Sequence, residues 1–213
     1  ESVLYDASKK VLFVSNIEGQ SGGKDGKGSI GKMKPSGKVI TAEWVTGLNA
    51  PKGMAKVKNL LYVADLDRVV IIDIKKGSIV KSIAVEGASF LNDVSADPNG
   101  VLYVSDSDQK RVHKIEGDAV TVFAEGFTRP NGVLWQADGL FVLDNGVLFK
   151  INGTDRVQIA DGLEGATDGV ERVNGEDFII SCWSGVIYYV KANGQKEKLL
   201  DTRPDKINAA DIG

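Results

Sequence analysis

Residues 91–129 read LNDVSADPNGVLYVSDSDQKRVHKIEGDAVTVFAEGFTR and contain four short apolar runs separated by turn residues. Asp-Pro-Asn-Gly at 97–100 separates the first two runs, and Glu-Gly-Asp at 116–118 separates the last two. Short runs with a period of two, bounded by Gly, Pro, Asn and Asp, are typical of strands joined as hairpins. Four strands in about 40 residues predict one blade of a β-propeller.

The same pattern recurs along the whole chain at intervals of about 40 residues. Each repeat begins with a polar residue that opens an otherwise apolar strand. These polar residues are Glu1, Lys52, Asn92, Asn131, Asp168 and Asp211. A fixed period built from strands selects a propeller rather than a helical solenoid. We therefore predict an all-β fold, a single propeller domain over residues 1–213, of the six-blade type, with five complete four-stranded blades and the start of a sixth.

The last repeat stops two residues after Asp211 and lacks its outer strands. Propellers close because closure hides strand edges. Either a C-terminal segment is missing, or five blades close and the tail caps the ring, and we favour the first explanation. It predicts an open edge beside Glu1 and Gly213, covered by a second copy of the chain or by the missing segment.

Composition excludes several classes of protein. With a net charge of -3 and 42% hydrophobic residues, the chain can form a core and lacks the basic surplus of nucleic-acid-binding proteins. Its apolar runs are far too short to span a bilayer. Cys182 is the only cysteine, so an intrachain disulfide is impossible, and no signal peptide is visible.

A glycine-rich segment at 17–28, IEGQSGGKDGKG, lengthens the first repeat. Such a composition is typical of a loop tip, and we place it between the second and third strands of the first blade. His113, the only histidine, lies on a predicted third strand far from the polar ring. We interpret it as a surface residue, so a Ser-His-Asp site has no support.

The six polar residues that open the repeats are expected to form a ring, because the first strand of every blade lines the central channel. The ring offers carboxylates and carboxamides, which are oxygen ligands of the kind that Ca²⁺ prefers. Without thiolate or imidazole, zinc and copper are disfavoured. Two other interpretations stay open: the Asn and Asp side chains cap turns, or the Lys52 ammonium neutralises Glu1 or Asp211 in place of a cation.

Several motifs resemble the SMP-30/gluconolactonase family of six-bladed propellers, which is related to strictosidine-synthase-like and NHL-repeat proteins. They are Glu1 in blade one, LND at 91–93, PNGVLW at 130–135 and TDG at 167–169. The resemblance implies one divalent cation, Ca²⁺ first and Mg²⁺, Mn²⁺ or Zn²⁺ as further candidates, bound by Glu1, Asn92, Asn131 and Asp168. It also implies a metal-dependent lactone or ester hydrolase, in which Asp168 acts as the base, and a periplasmic or secreted location.

The chain departs from the lactonase pattern at Phe90, where lactonases often place an arginine that holds the sugar. We expect Phe90, Lys52, Asp211 and Trp183 to line the axial pocket beside the cation, with a small molecule as ligand. The alternative function is a non-catalytic propeller that binds a small ligand or a protein partner on its loop face. Fold analogy alone does not decide between the two.

Overall fold

The computed structural model describes residues 1–212 and consists of five four-stranded antiparallel sheets. The first two sheets contain β1 (Val3–Asp6), β2 (Val11–Asn16), β3 (Gly28–Met33) and β4 (Val39–Leu48), then β5 (Pro51–Val57), β6 (Leu60–Asp65), β7 (Arg68–Asp73) and β8 (Ser78–Ala84). The third contains β9 (Leu91–Ala96), β10 (Leu102–Asp106), β11 (Arg111–Glu116) and β12 (Ala119–Glu125). The last two contain β13 (Pro130–Gln136), β14 (Gly139–Asp144), β15 (Val147–Asn152) and β16 (Asp155–Ala160), then β17 (Thr167–Val173), β18 (Asp177–Cys182), β19 (Val186–Val190) and β20 (Lys196–Asp201).

Each sheet is an up-and-down meander, in which strands adjacent in sequence pair with each other. The first strands of neighbouring sheets contact one another, so the first strand of each sheet is the innermost and the last is the outermost. The turn between β9 and β10 illustrates why the chain reverses where it does. The Asp97 carboxylate accepts backbone hydrogen bonds from Asn99 and Val101, both at 2.9 Å. Gly100 adopts a φ of 91°, a left-handed conformation that favours glycine. The predicted hairpins of this repeat are confirmed.

Hydrophobic clusters join consecutive sheets. Phe13 and Ile30 of the first sheet pack with Val63 and Val70 of the second, for example, and three similar clusters join the second to the third, the third to the fourth and the fourth to the fifth. Within residues 1–212, no such cluster joins the fifth sheet to the first. The order of packing around one axis makes the molecule a β-propeller.

The prediction of a six-bladed propeller is wrong, because the chain forms five four-stranded blades. Asp211 has the spacing of a sixth inner strand but lies in a segment, 207–212, without regular secondary structure. A single 3-10 turn, Arg203–Asp205, follows β20, and the chain then runs back to the axis. There the Ser2 hydroxyl donates a hydrogen bond of 2.6 Å to the Asp211 carboxylate. The tail therefore lies against the first blade, and Gly213, the other residue of the expected open edge, is outside the described residues.

Two further expectations are tested by the fold. The glycine-rich segment connects β2 to β3, as predicted. Among the described residues, none belongs to a helix of the length and hydrophobicity that crossing a bilayer requires.

Candidate functional site

A cavity of about 280 Å³ lies at one end of the central channel, and we call it the mouth cavity. It brings together most of the ring residues that the sequence predicts. Its lining consists of Glu1, Ser21, Lys52, Phe90, Asn92, Arg129, Asn131, Asn145, Ala166, Thr167, Asp168 and Trp183. The four predicted cation ligands and three of the four predicted pocket residues are therefore at one place.

Close packing of the inner strands positions these side chains. β5 packs against β9, β9 against β13 and β13 against β17, and the second residue of each of these strands lines the mouth cavity. The next residue in three of the strands is glycine. A Cβ at Gly53 would lie 2.6 Å from the Cα of Asp93, and a Cβ at Gly132 would lie 2.3 Å from the carbonyl oxygen of Asp168. Only glycine permits this approach, which narrows the channel beside the cavity.

Asp168 is 4% exposed and receives one side-chain hydrogen bond, from the Asn131 amide nitrogen at 3.1 Å. Burial raises the pKa of its carboxyl to about 8, and the charges of Asp211 and Glu1 add to the effect. A carboxyl group with so few donors keeps unused acceptor positions at the cavity.

Two of the carboxamides that line the mouth cavity, those of Asn92 and Asn131, donate to protein acceptors through their NH₂ groups. Asn131 donates to Asp168, and Asn92 donates to the Ser107 hydroxyl at 3.1 Å. Ser107 in turn donates to the Pro130 carbonyl at 2.6 Å, and this bond orients the hydroxyl that accepts from Asn92. Within residues 1–212, the two carboxamide oxygens accept no hydrogen bond, so they stay available to a ligand.

Glu1 contributes the second carboxylate of the mouth cavity. Its α-amino group donates a hydrogen bond of 3.0 Å to the Ser15 carbonyl, which holds the first residue against β2. From the part of the chain that the structure describes, its carboxylate accepts no hydrogen bond. Two carboxylates and two carboxamides therefore offer oxygen atoms to one small volume.

Lys52 is 1% exposed, and its ammonium donates to the carbonyls of Ser21 at 2.8 Å and Ala50 at 3.0 Å. It also lies 4.5 Å from the centroid of the Phe90 ring. Burial lowers the pKa of Lys52 to about 8, although the charges of Glu1 and Asp65 oppose that shift. No carboxylate of residues 1–212 lies within ion-pair distance of this ammonium, so Lys52 does not neutralise Glu1 or Asp211 by direct contact.

Asp211 is the predicted pocket residue that does not line the mouth cavity. It belongs to a second cavity of about 380 Å³, the rear cavity, together with Asp93 and Glu171. Burial raises the pKa of Asp211 to about 6 and that of Glu171 to about 7. The pKa of Asp93 also lies well above its ordinary range because of burial and the charge of Asp211.

Sequence reasoning missed two kinds of residue. Arg129 lies two positions before Asn131, the same offset that separates Phe90 from Asn92, so alignment of the repeats could have found it. Ser107 gives no such signal, because its role depends on its contact with the next blade. The interpretation of His113 as a surface residue is wrong: it is buried in β11, with Nε2 3.9 Å from the Asp106 carboxylate.

No group of three or more His, Cys, Asp or Glu side chains in residues 1–212 is arranged to hold a metal ion. The mouth cavity has two carboxylates, and the other two predicted ligands, Asn92 and Asn131, are carboxamides. A cation there would depend on Asn92 and Asn131 as much as on Glu1 and Asp168. Such a mixed oxygen set is compatible with Ca²⁺, which accepts carboxamide and water oxygens.

Comparison with known proteins identifies the fold and no more. No protein-family model matches the chain, and no curated protein matches it. Among solved structures, nidogen in a complex with laminin has a TM-score of 0.78 at 16% identity, over 99% of this chain and 82% of that chain. A catalytically inactive virginiamycin B lyase from Staphylococcus aureus with quinupristin has a TM-score of 0.70 at 14% identity, over 99% and 86% of the two chains.

A streptogramin B lyase has a TM-score of 0.63 at 12% identity, over 91% of this chain and 88% of that chain. These neighbours are β-propellers, and they include a lyase and a protein found in a complex with another protein. The propeller fold is thus confirmed, whereas membership of the SMP-30/gluconolactonase family stays a hypothesis.

Proposed function

We propose that the mouth cavity binds one divalent cation, Ca²⁺ in the first place, and presents it to a small oxygen-containing ligand. The cation would be held by Glu1, Asn92, Asn131 and Asp168. One observation carries the proposal: all four residues line one cavity, and the NH₂ groups of Asn92 and Asn131 each donate a hydrogen bond to a protein acceptor. Since Ca²⁺ takes about six to eight oxygens, water and the ligand would complete the coordination.

The electrostatics of the cavity support this proposal. The pKa of Asp168 is raised to about 8 by burial and then by the charges of Asp211 and Glu1. Of these two, Glu1 lines the same cavity as Asp168, so the two carboxylates repel each other there. A cation between the two carboxylates replaces the proton and removes the repulsion. Mg²⁺, Mn²⁺ and Zn²⁺ are weaker candidates, because the first demands stricter geometry and the last prefers nitrogen and sulfur ligands.

Hydrolysis of a small ester or lactone is the reaction that we assign to this site. A bound cation supplies Lewis-acid polarisation of a ligand carbonyl. Asp168 is the group placed to accept a proton from the attacking water, because it is buried at the cavity wall and Asn131 orients its carboxyl. Phe90 and Trp183 provide the apolar walls that hold the ligand body.

Calcium binding is tested by calorimetric titration of protein stripped of metal on a chelating resin. We expect a single site, and we expect Asn92→Ala and Asn131→Ala each to weaken binding by about tenfold or more, since each removes one oxygen ligand. Asn145→Ala is the matched control, because Asn145 lines the same cavity and is not assigned as a ligand. A titration without binding heat, or equal weakening by all three variants, would contradict the proposal.

A non-catalytic propeller that binds a protein partner is the second candidate. It is favoured by the likeness to nidogen in its complex with laminin and by Trp183, which is 45% exposed at the mouth. Sugar and acyl lactones and small esters, assayed with and without Ca²⁺, Mg²⁺, Mn²⁺ and Zn²⁺, separate the two candidates. Metal-stimulated turnover supports the hydrolase, and its absence on every substrate in the presence of bound metal favours the protein-binding function.

A further inference from the structure

We propose that the ligand of the mouth cavity is a small organic carboxylate, whose anionic group is bound by Lys52 and Arg129 beside Phe90. This inference rests on the proposed function in one respect, namely that the mouth cavity is a ligand site. It goes beyond that function because it names the chemical class of the ligand and the residues that select it.

Lys52 is a buried cation that no carboxylate of residues 1–212 contacts directly. Of its three N–H groups, two donate to neutral carbonyls, those of Ser21 and Ala50, and the residue is only 1% exposed. A fully buried lysine is normally paired with a carboxylate, because desolvation of an isolated charge is unfavourable. Lys52 has no such partner in residues 1–212. Its remaining N–H is therefore available to an anion in the mouth cavity.

Other basic residues of the chain form ion pairs with buried carboxylates. Arg68 contacts the buried Asp65 carboxylate at 2.8 Å, and Lys56 contacts the buried Asp6 carboxylate at 3.5 Å. Both cations are more exposed than Lys52 and still have an acidic partner. The fold thus provides carboxylates to inward-facing cations elsewhere, and the unpaired Lys52 at a cavity wall points to a partner from outside.

Arg129 brings a second cation to the same wall. Its guanidinium carbon lies 5.6 Å from the centroid of Phe90, the ring that Lys52 approaches to 4.5 Å. Its acidic contact is Asp108, at 3.5 Å, in a pair with both side chains about half exposed, and such pairs are weak and easily exchanged. A planar guanidinium beside an ammonium suits a carboxylate, which can accept hydrogen bonds at both oxygens.

The charge of the complete site favours an anion as well. When a cation binds and Asp168 ionises, the charges of Glu1 and Asp168 offset those of Lys52 and Arg129. The divalent cation itself then leaves the cavity with a net positive charge, which the negative charge of a bound carboxylate reduces. Phe90 and the exposed face of Trp183 leave an apolar slot for the ligand body, and the volume, about 280 Å³, limits that body to a small molecule.

Benzoate and benzamide are suitable probes, because they share a ring and differ in the charge of the head group. Binding is measured by calorimetry on resin-stripped protein and again in millimolar Ca²⁺. We expect wild-type protein to bind benzoate about tenfold or more tightly than benzamide. Lys52→Met should abolish the preference and Arg129→Gln should reduce it, whereas Lys81→Met should keep it, because Lys81 pairs with Asp118 on the surface.

The Arg129→Gln variant keeps the test valid if Lys52→Met fails to fold, since Arg129 is half exposed. Benzoate that binds no more tightly than benzamide, or no detectable binding of either probe, overturns the inference. Calcium titrations of the same samples distinguish the two proposals. Calcium binding without a benzoate preference overturns the carboxylate site alone, and a benzoate preference without calcium binding overturns the cation site alone.

Discussion

The two ends of the central channel are lined by neighbouring residues of the same inner strands, yet they hold their carboxylates differently. At the rear, Asp93 accepts backbone hydrogen bonds from Val94 and from Val133 of the next blade, both at 2.7 Å. At the mouth, Asp168 receives a single bond, from Asn131. The Asp93 carboxylate accepts bonds from the backbone of two blades, whereas the Asp168 carboxyl accepts one side-chain bond from residues 1–212.

The comparison distinguishes a carboxylate that joins inner strands from one that we propose binds a ligand. A carboxyl group bonded to backbone N–H groups on two strands belongs to the fold, because its removal leaves buried donors without partners. A carboxyl group that accepts a single side-chain hydrogen bond retains unused acceptor positions, and we propose that Asp168 uses them to bind a cation. Substitutions at the rear and at the mouth should therefore have different effects on stability and on calcium binding.

The largest effect is expected from Gly53→Ala, which disturbs the rear contact. The new Cβ would lie 1.9 Å from the Asp93 carboxylate and 2.6 Å from its Cα, so the strands must separate. We expect a loss of about 3 kcal/mol in the free energy of unfolding, measured by urea denaturation. Gly22→Ala is the control, because no atom lies within 4 Å of the added Cβ. Equal stability of the two variants would contradict the close packing of β5 and β9.

Glu171→Gln tests the charge of the rear cavity through pH. The native pKa of Glu171 is raised to about 7 by burial and by Asp211, so its ionisation destabilises the fold as pH rises from about 4.5 to 7. We expect the variant to unfold like wild type at pH 4 and to be more stable by about 2 kcal/mol at pH 8. Urea melts at both values measure the difference. The exposed Glu176→Gln serves as control, and a gain independent of pH would argue against the buried carboxyl.

Ser107→Ala tests the support of the mouth. It removes the acceptor of the Asn92 amide and the donor to the Pro130 carbonyl, both buried. We expect a loss of about 1.5 kcal/mol in stability and a weaker affinity for calcium, because Asn92 loses its fixed orientation. Ser184→Ala, at an exposed position, should change neither quantity. Full calcium affinity in Ser107→Ala would show that Asn92 is not a ligand.

The sequence predicts much of this architecture because local patterns determine the strands and turns. The polar residues at the starts of the repeats are sufficient to place Asn92, Asn131 and Asp168 together at one mouth. The number of blades could not be obtained in that way. Asp211 has the spacing of an inner strand, but a blade also needs three outer strands, and the tail instead bonds to Ser2.

Other features depend on contacts between blades, and spacing does not report them. The fit of Asp93 beside Gly53 requires the distance between two strands that are far apart in sequence. The missing counterion of Lys52 is likewise a property of the folded site, since the chain contains many carboxylates that could have paired with it. Sequence reasoning therefore identified most of the residues that line the mouth cavity, but it could not determine their contacts with neighbouring blades.

Thermal melts of three proteins, each stripped of metal and then supplied with calcium, test directly whether the mouth cavity binds a cation. Wild type keeps all of its carboxylates. Asp168→Asn removes one at the mouth of the channel, and Glu171→Gln removes one at the rear. With Ca²⁺ at about tenfold excess over its dissociation constant, we predict that wild type and Glu171→Gln are stabilised by about 1.4 kcal/mol and that Asp168→Asn is not. A wild-type melting temperature that no divalent ion changes, or an undiminished response in Asp168→Asn, would contradict a cation site at the mouth.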